Sequence, residues 1–142
     1  MEERKSFVVG EESSMSKTVS DEDIRTFARI SGDVNPLHLD DEYARSTVFG
    51  GRIAHGMLVA SLISAVIGKC LPGPGAIYMG QELRFVAPVR PGDTITAIVR
   101  VEAWDDVKGR VTLATEVRNQ NGEAVVTGMA KVVMASYLQK HK

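Results

Sequence analysis

Three side chains that can carry chemistry lie close together in the segment GDVNPLHLDD. Asp33, Asn35 and His38 fall within six residues, and Gly32 and Pro36 interrupt the helical period that precedes them. An acid and an imidazole held close together can share one water, one group removing its proton and the other returning a proton to a substrate. A loop stiffened by Pro36, with Asn35 fixing its shape through backbone hydrogen bonds, would hold such a pair in place. The segment therefore indicates acid–base chemistry.

The segment HGMLVASL adds a candidate backbone group. His55 and Gly56 stand where an apolar helix is predicted to begin. The first amides of a helix have no partner inside it, and the helix dipole favours negative charge beside them. Such an N–H can polarise a carbonyl oxygen, as in an oxyanion hole.

Simpler interpretations of the same residues stay open. Asp33 and Asn35 are common turn residues, and His38 could be a structural histidine. Asp33, His38, Asp40 and Asp41 are also possible metal ligands. We expect no metal, because only one histidine is close and no pair of ligands has the helical spacing of an H-x-x-x-H motif.

The composition predicts one domain, residues 1–142, that acts on a small molecule or on another protein. The chain has 142 residues, of which 44% are hydrophobic, enough for a real core. Its formal net charge is −1 and no long run carries one sign, so neither a nucleic-acid nor a membrane partner is expected. Cys70 is the single cysteine, and residues 1–14 lack the apolar core of a signal peptide. A cytoplasmic location is therefore expected.

The first half of the chain predicts two capped helices and one buried helix. Ser20 and the acids after it predict a helix from about Asp21 to Ile30, and Asp40 predicts a shorter one through DEYARS. A glycine-rich loop, FGGRIAHG, follows. Residues 57–67 are apolar or small on every side, so they predict a buried central helix, too short to span a bilayer. Ser61 and Ser64 lie inside it without nucleophile-elbow glycines, which argues against serine hydrolysis.

The second half predicts an antiparallel sheet. From Ala76 onwards, four segments rich in Val, Ile, Thr and aromatic residues are separated by RPGD, DDVKG and NQNG. The last two separators predict hairpin turns and hence a meander. Short strands are also predicted near Ser6–Val9 and Met15–Val19. Since a buried helix and a sheet must cover each other, the fold class is α+β, a curled antiparallel sheet around a central helix. Pairing its exposed edges in a homodimer would protect them.

Two stretches of the chain resemble a known enzyme family. SGDVNPLHLDDEYA followed by FGGRIAHGMLVASLIS resembles the hydratase 2 motif of the MaoC-like, (R)-specific enoyl-CoA hydratases, and YMGQELRFVAPVRPGDTI resembles the strand and turn that follow it in that family. The resemblance extends from about residue 15 to residue 135. It implies a hot-dog fold of the single bacterial type, a homodimer, an acyl-CoA thioester substrate and no cofactor.

The resemblance also implies roles for residues at matching positions. Asp33 and His38 become the catalytic pair, the N–H of Gly56 polarises the thioester carbonyl, and Asn35 and Ser64 support the loop or the pair. The implied reaction is reversible syn addition of water to a trans-2-enoyl-CoA, which gives the (R)-3-hydroxyacyl-CoA. In the opposite direction the enzyme would be a 3-hydroxyacyl-CoA dehydratase.

Several points stay open at the level of sequence. Pro36 and His55 match the motif and are assigned structural roles. A hot-dog acyl-CoA thioesterase and a non-catalytic acyl-CoA-binding subunit are the alternative functions. Arg52, Arg84 and Arg90 could meet the CoA phosphates, although each is more often a solvated surface charge.

Overall fold

A computed structural model describes residues 4–138 and contains one five-stranded antiparallel sheet with the order β1-β3-β4-β5-β2. The strands are β1 (Glu12–Thr18), β2 (Ala76–Phe85), β3 (Thr94–Asp105), β4 (Arg110–Arg118) and β5 (Ala124–Met134). The last three form the predicted meander, because β3 pairs antiparallel with β4 and β4 pairs antiparallel with β5. β1 and β2 are the two edges of the sheet.

Four α-helices and one short 3₁₀ helix complete the fold. They are α1 (Asp21–Ser31), α2 (Pro36–Leu39), α3 (Asp41–Arg45), α4 (Gly56–Lys69) and the 3₁₀ turn Ala135–Tyr137. Only α4 is long and largely apolar. No helix within residues 4–138 has the length and apolarity to cross a membrane.

Local capping explains where α1 begins and ends and where α3 begins. The Ser20 side chain accepts a hydrogen bond from the amide of Asp23 (3.0 Å), and the Asp23 carboxylate accepts one from the amide of Ser20 (3.0 Å). α1 then ends at Gly32, whose φ of 80° lies in the left-handed region. Asp40 caps α3 by accepting from the amide of Tyr43 (3.1 Å). Both predicted helices are thus confirmed.

The core lies between α4 and the concave face of the sheet. Ile63 and Val66 of α4 are fully buried, as are Ile95 and Val99 of β3 and Leu113 of β4. Each element covers the apolar face of the other, as the sequence predicts. The α+β hot-dog arrangement implied by the resemblance is therefore the fold of this protein.

The predicted burial of the central helix is confirmed for the side of α4 that packs on the sheet, whereas its opposite side is exposed in the single chain. Met57, Ser61, Ser64 and Gly68 are exposed and follow one another at helical spacing along the helix. The reason is geometric, since a single sheet curls around only one side of a helix. These four residues are called the open stripe of α4 below.

The predicted strand at Ser6–Val9 is wrong. The chain turns there instead, with the amide of Glu11 donating to the carbonyl of Val8 (3.0 Å) and Gly10 at a φ of 99°. β1 begins two residues later, at Glu12, and includes most of the other predicted short strand. Apolar residues before the turn still contact the core, since the ring of Phe7 lies 5.1 Å from that of Trp104.

Candidate active site

A cavity of about 400 Å³ opens at the N-terminal end of α4. Its walls are mainly apolar and include Phe49, Val59, Phe85, Pro88, Val89 and Val126. Three ionisable side chains line it, those of Asp33, His38 and His55, and the backbone of Gly56 borders it. An apolar cavity with a few convergent polar groups is the usual form of a small-molecule site.

Asp33 is placed by a chain of hydrogen bonds within the loop between α1 and α2. Its amide donates to the hydroxyl of Ser31 (3.1 Å), and its carboxylate accepts from the amide of Asn35 (3.3 Å). The side chain of Asn35 then accepts from the amide of Leu37 (3.0 Å) and caps α2. Asn35 thus makes the kind of backbone hydrogen bond that the loop interpretation predicts, while the side chain of Asp33 stays exposed.

His38 is buried and its tautomer is set by a backbone carbonyl. Its Nδ1 lies 2.8 Å from the carbonyl oxygen of Ile53, and only 8% of the residue is exposed. A carbonyl oxygen can only accept, so Nδ1 carries a proton, and in the neutral ring Nε2 keeps its lone pair. Nε2 can therefore accept a proton from a group in the cavity.

Arg52 fixes the backbone around His38 to two helices. Its guanidinium pairs with Asp21 of α1 (2.6 Å) and Asp41 of α3 (2.8 Å), and it also donates to the carbonyl of His38 (3.2 Å). The hydrogen bond from Arg52, with a second from Arg25, lowers the pKa of the Asp21 carboxyl below its usual value. The contacts define Arg52 as a structural residue.

The other arginines considered for the CoA phosphates occupy different settings. Arg90 donates to the carbonyl of Phe49 (2.6 Å), a residue of the cavity wall, and Arg84 is exposed on β2. Two of the three candidates, Arg52 and Arg90, therefore already make hydrogen bonds to nearby backbone carbonyls.

His55 contacts both members of the predicted pair. It is the N-cap residue of α4, and its Nε2 lies 2.9 Å from the backbone carbonyl of Asp33. Its ring stacks on that of His38, with centroids 3.9 Å apart and planes inclined by 28°, and packs on Phe27 at 4.9 Å. Sequence reasoning gave His55 a structural role and missed both contacts. The available signals were its position next to Gly56 and its match to the family motif.

Gly56 is the first residue of α4, as predicted. An amide at this position has no partner within the helix. A β-carbon added to Gly56 would lie 2.7 Å from two ring carbons of Phe85, closer than carbon atoms approach one another. Phe85 therefore packs directly on the glycine, and no other residue fits there unless the ring moves.

The structure brings four of the five predicted site residues together and leaves the fifth apart. Asp33, His38 and Gly56 line the cavity, and Asn35 shapes the loop behind it. Ser64 lies about two turns further along α4, in the open stripe, and does not line the cavity.

The spacing of the polar groups suits a shared water. One ligating atom each from Asp33, His38 and His55 lie within 4.8 Å of one another. Two hydrogen bonds of about 2.8 Å to one water join acceptors roughly 4.6 Å apart. The ligand atoms of a tetrahedral zinc ion with bonds of about 2.1 Å lie about 3.4 Å apart, which the same upper limit of 4.8 Å admits. One nitrogen of each imidazole already lies at hydrogen-bonding distance from a carbonyl oxygen. The expectation of no metal stays a prediction.

Comparison with known proteins connects this geometry to a family. The MaoC-like domain matches residues 8–130. An (R)-specific enoyl-CoA hydratase of Rhodospirillum rubrum is 50% identical over 125 residues, which are 88% of this chain and 86% of the relative. A 3-hydroxybutyryl-CoA dehydratase of Methylorubrum extorquens is 46% identical over 118 residues, 83% of this chain and 74% of the relative.

A solved structure agrees in both fold and sequence. The (R)-hydratase of Aeromonas caviae involved in PHA biosynthesis superimposes with a TM-score of 0.88 at 45% identity, covering 92% of this chain and 98% of that one. The match thus covers nearly the whole of both chains. With the domain match over residues 8–130, these similarities mean that the chain belongs to the MaoC-like family.

Proposed function

We propose that this protein is an (R)-specific enoyl-CoA hydratase, which adds water reversibly to a trans-2-enoyl-CoA and yields the (R)-3-hydroxyacyl-CoA. The observation that carries the proposal is the meeting of the Asp33 carboxylate, the His38 imidazole and the Gly56 backbone at one mainly apolar cavity. Relatives named as an enoyl-CoA hydratase and as a 3-hydroxybutyryl-CoA dehydratase support the two directions of one reaction.

In the proposed mechanism, both members of the pair accept hydrogen bonds from the attacking water. The Asp33 carboxylate is an acceptor, and so is Nε2 of the neutral His38 ring, because its Nδ1 proton faces the carbonyl of Ile53. The water donates one hydrogen to each, and its oxygen attacks Cβ of the enoyl group while one acceptor takes a proton. Because both groups begin as acceptors, the group that took the proton, and not its neighbour as the sequence suggests, returns a proton to Cα on the same face, which is syn addition.

The N–H of Gly56 would stabilise the charge that develops on the substrate. As the C–O bond forms at Cβ, electrons move through the conjugated system to the thioester oxygen and give an enolate-like species. A backbone donor at a helix N-terminus is suited to this oxygen and needs no reorganisation. The apolar walls of the cavity would take the acyl chain, and the CoA moiety would extend outside.

We also propose a homodimer in which the β2 edges of two chains pair into one continuous sheet. Apolar side chains of β2 are unusually exposed for a monomer, including Ile77 (41%) and Met79 (56%), and the open stripe of α4 leaves a second surface uncovered. Ser64 lies in this stripe, where a partner chain could bring it close to a site. A monomer in sedimentation at micromolar concentration would contradict this.

Three further expectations belong to the same proposal. The 142 residues are taken as one domain, the enzyme needs no cofactor, and it acts in the cytoplasm, where Cys70 stays reduced. Unchanged activity after treatment with a chelator and gel filtration would support the cofactor expectation, and cell fractionation would test the location.

Hydration of crotonyl-CoA tests the proposed activity directly. Purified protein should remove the ultraviolet absorbance of the conjugated enoyl group, and the product should react with an (R)-specific but not an (S)-specific 3-hydroxyacyl-CoA dehydrogenase. Asp33→Asn should abolish most of this rate, whereas Asp106→Asn, the same change in an exposed turn, should not. Release of free CoA instead would indicate a thioesterase. Binding without turnover of any enoyl-CoA would indicate a non-catalytic subunit.

A further inference from the structure

We propose that His55 is a positioning residue, which holds the Asp33 loop and the His38 ring at the separation that one shared water requires. The inference rests on the proposed hydratase function. It assigns to His55 a role in turnover beyond helix capping, although His55 is not expected to exchange protons with the substrate.

His55 joins three parts of the site that come from distant elements. Its Nε2 meets the carbonyl of Asp33 at 2.9 Å, and its ring stacks on His38 at 3.9 Å. Its own carbonyl accepts the first hydrogen bond of α4, from Val59 (3.2 Å), so its backbone sets the position of Gly56. One side chain with its backbone thus links the acid, the imidazole and the amide.

The hydrogen bond to Asp33 determines the tautomer of His55. Because a carbonyl oxygen only accepts, Nε2 must carry a proton, and in the neutral ring Nδ1 is left with a lone pair. His55 is only 2% exposed, and its Nδ1 is buried with no hydrogen-bond partner among the described residues. A buried unpaired acceptor destabilises a fold.

Stability alone therefore does not explain a histidine at this position. Phenylalanine would keep an aromatic ring in contact with His38 and Phe27 and would remove the unpaired nitrogen. What phenylalanine cannot supply is the N–H that meets the carbonyl of Asp33. A buried unsatisfied group in a native structure calls for such an explanation.

The loop depends on this contact because its other hydrogen bonds are local. Those made by Ser31, Asn35 and Leu37 join residues two positions apart and fix the shape of the loop. The bond from His55 reaches over 22 positions and fixes where the loop lies relative to α4. A displacement of about 1 Å between reacting groups can cost about 10²-fold in rate.

The test compares two substitutions of His55 by steady-state kinetics with crotonyl-CoA. His55→Phe keeps a ring and loses the donor, so kcat should fall roughly 10- to 100-fold while KM changes little. His55→Gln keeps a terminal N–H of similar reach and should recover most of the lost kcat. Thermal unfolding of both variants should stay close to that of the wild type. Wild-type kcat in folded His55→Phe, or equal losses in both variants, would overturn the proposal.

Phe27→Leu is the matched control. The ring of Phe27 also packs on that of His55, and Phe27 is not among the residues that line the cavity. This substitution should lower the thermal midpoint and leave kcat nearly unchanged. If it lowers kcat as much as His55→Phe does, general packing rather than the hydrogen bond is responsible, and the proposal fails.

A measurement on the wild-type protein keeps the inference testable if the variants do not fold. Histidine ¹⁵N–¹H correlation spectra report which ring nitrogen carries the proton, and His55 should be the Nε2–H tautomer. The Nδ1–H tautomer would overturn the positioning role. Failure of the wild type to hydrate any enoyl-CoA would instead overturn the proposed function, so the two failures are distinguishable.

Discussion

The role of the Gly56 amide can be separated from the space that Gly56 leaves for Phe85. In Gly56→Ala the new β-carbon would lie 2.7 Å from two ring carbons, whereas carbon atoms pack at about 3.5 to 4.0 Å. The ring must therefore move by roughly 1 Å. Because Phe85 is 53% exposed it can do so, and the stability cost should stay near the lower end of the usual 1 to about 3 kcal/mol for overpacking. The displaced ring lines the cavity, so activity should fall.

A second substitution removes this steric effect and isolates the N–H. With Phe85→Ala as the background, Gly56→Ala keeps the amide proton and Gly56→Pro removes it. Proline is tolerated at the first position of a helix, and the preceding residue, His55, already has φ −59° and ψ 133°, which suit a residue before proline. The two double variants therefore differ mainly in one hydrogen-bond donor.

The expected difference between the two double variants is the contribution of an oxyanion-hole donor. Loss of such a donor typically lowers kcat about 10²- to 10³-fold. The assay is the initial rate of crotonyl-CoA hydration, with circular dichroism and sedimentation confirming that both proteins fold and assemble alike. Equal kcat values for Gly56→Pro and Gly56→Ala in this background would refute the carbonyl-polarising role of Gly56.

Three other predictions concern the Asp33–His38 pair, the ion pair between Asp21 and Arg52, and the contact between β2 and β5. Asp33→Asn and His38→Ala should each lower kcat about 10²- to 10⁴-fold. In the double variant kcat should fall by far less than the product of the two single effects, because the two residues act as one unit. Multiplicative effects on kcat would contradict a shared water. Arg52 lowers the pKa of Asp21 in the folded state, so the ion pair between them stabilises the fold fully above about pH 3.9, the pKa of a free aspartate. This stabilisation is lost as the pH falls through the lowered pKa. Urea denaturation at pH 7 should therefore show Asp21→Asn to be less stable than the wild type, by at most about 1 kcal/mol because the carboxylate is half exposed. The difference in stability should disappear in acid. A difference that does not change with pH would contradict the ion-pair origin. Gly128→Ala would place a β-carbon 1.8 Å from the carbonyl oxygen of Glu82 in β2, so the free energy of unfolding measured in urea should fall by about 3 kcal/mol. Unchanged stability would contradict this close contact between the strands.

The site could be predicted from sequence only as far as its local parts. Asp33, Asn35 and His38 lie within six residues, and Gly56 directly precedes the apolar helix, so short-range patterns were enough to select them. The partners of these residues could not be selected in that way. The carbonyl of Ile53, which sets the tautomer of His38, lies 15 positions away and has no side-chain signature.

The position of Ser64 illustrates a different limit. The family motif includes it, yet in the single chain it lies on the open stripe of α4, away from the cavity. Sequence does not say whether one chain or two complete a site. That information depends on which surfaces of the folded chain remain uncovered.

The sequence by itself determined the elements whose signals are local. The capping residues Ser20 and Asp23 specify the start of α1 and Gly32 its end. The uniformly apolar run of the central helix differs from the segments rich in Val, Ile and Thr that form the strands. Only the tertiary structure decided how distant segments meet, namely that His55 donates to Asp33 and that Phe85 packs on Gly56. The physical reason is that caps and periodicity arise from interactions over a few residues. The contacts of His55 with Asp33 and of Phe85 with Gly56 join residues 22 and 29 positions apart in the sequence, so they form only after the sheet has curled around the helix.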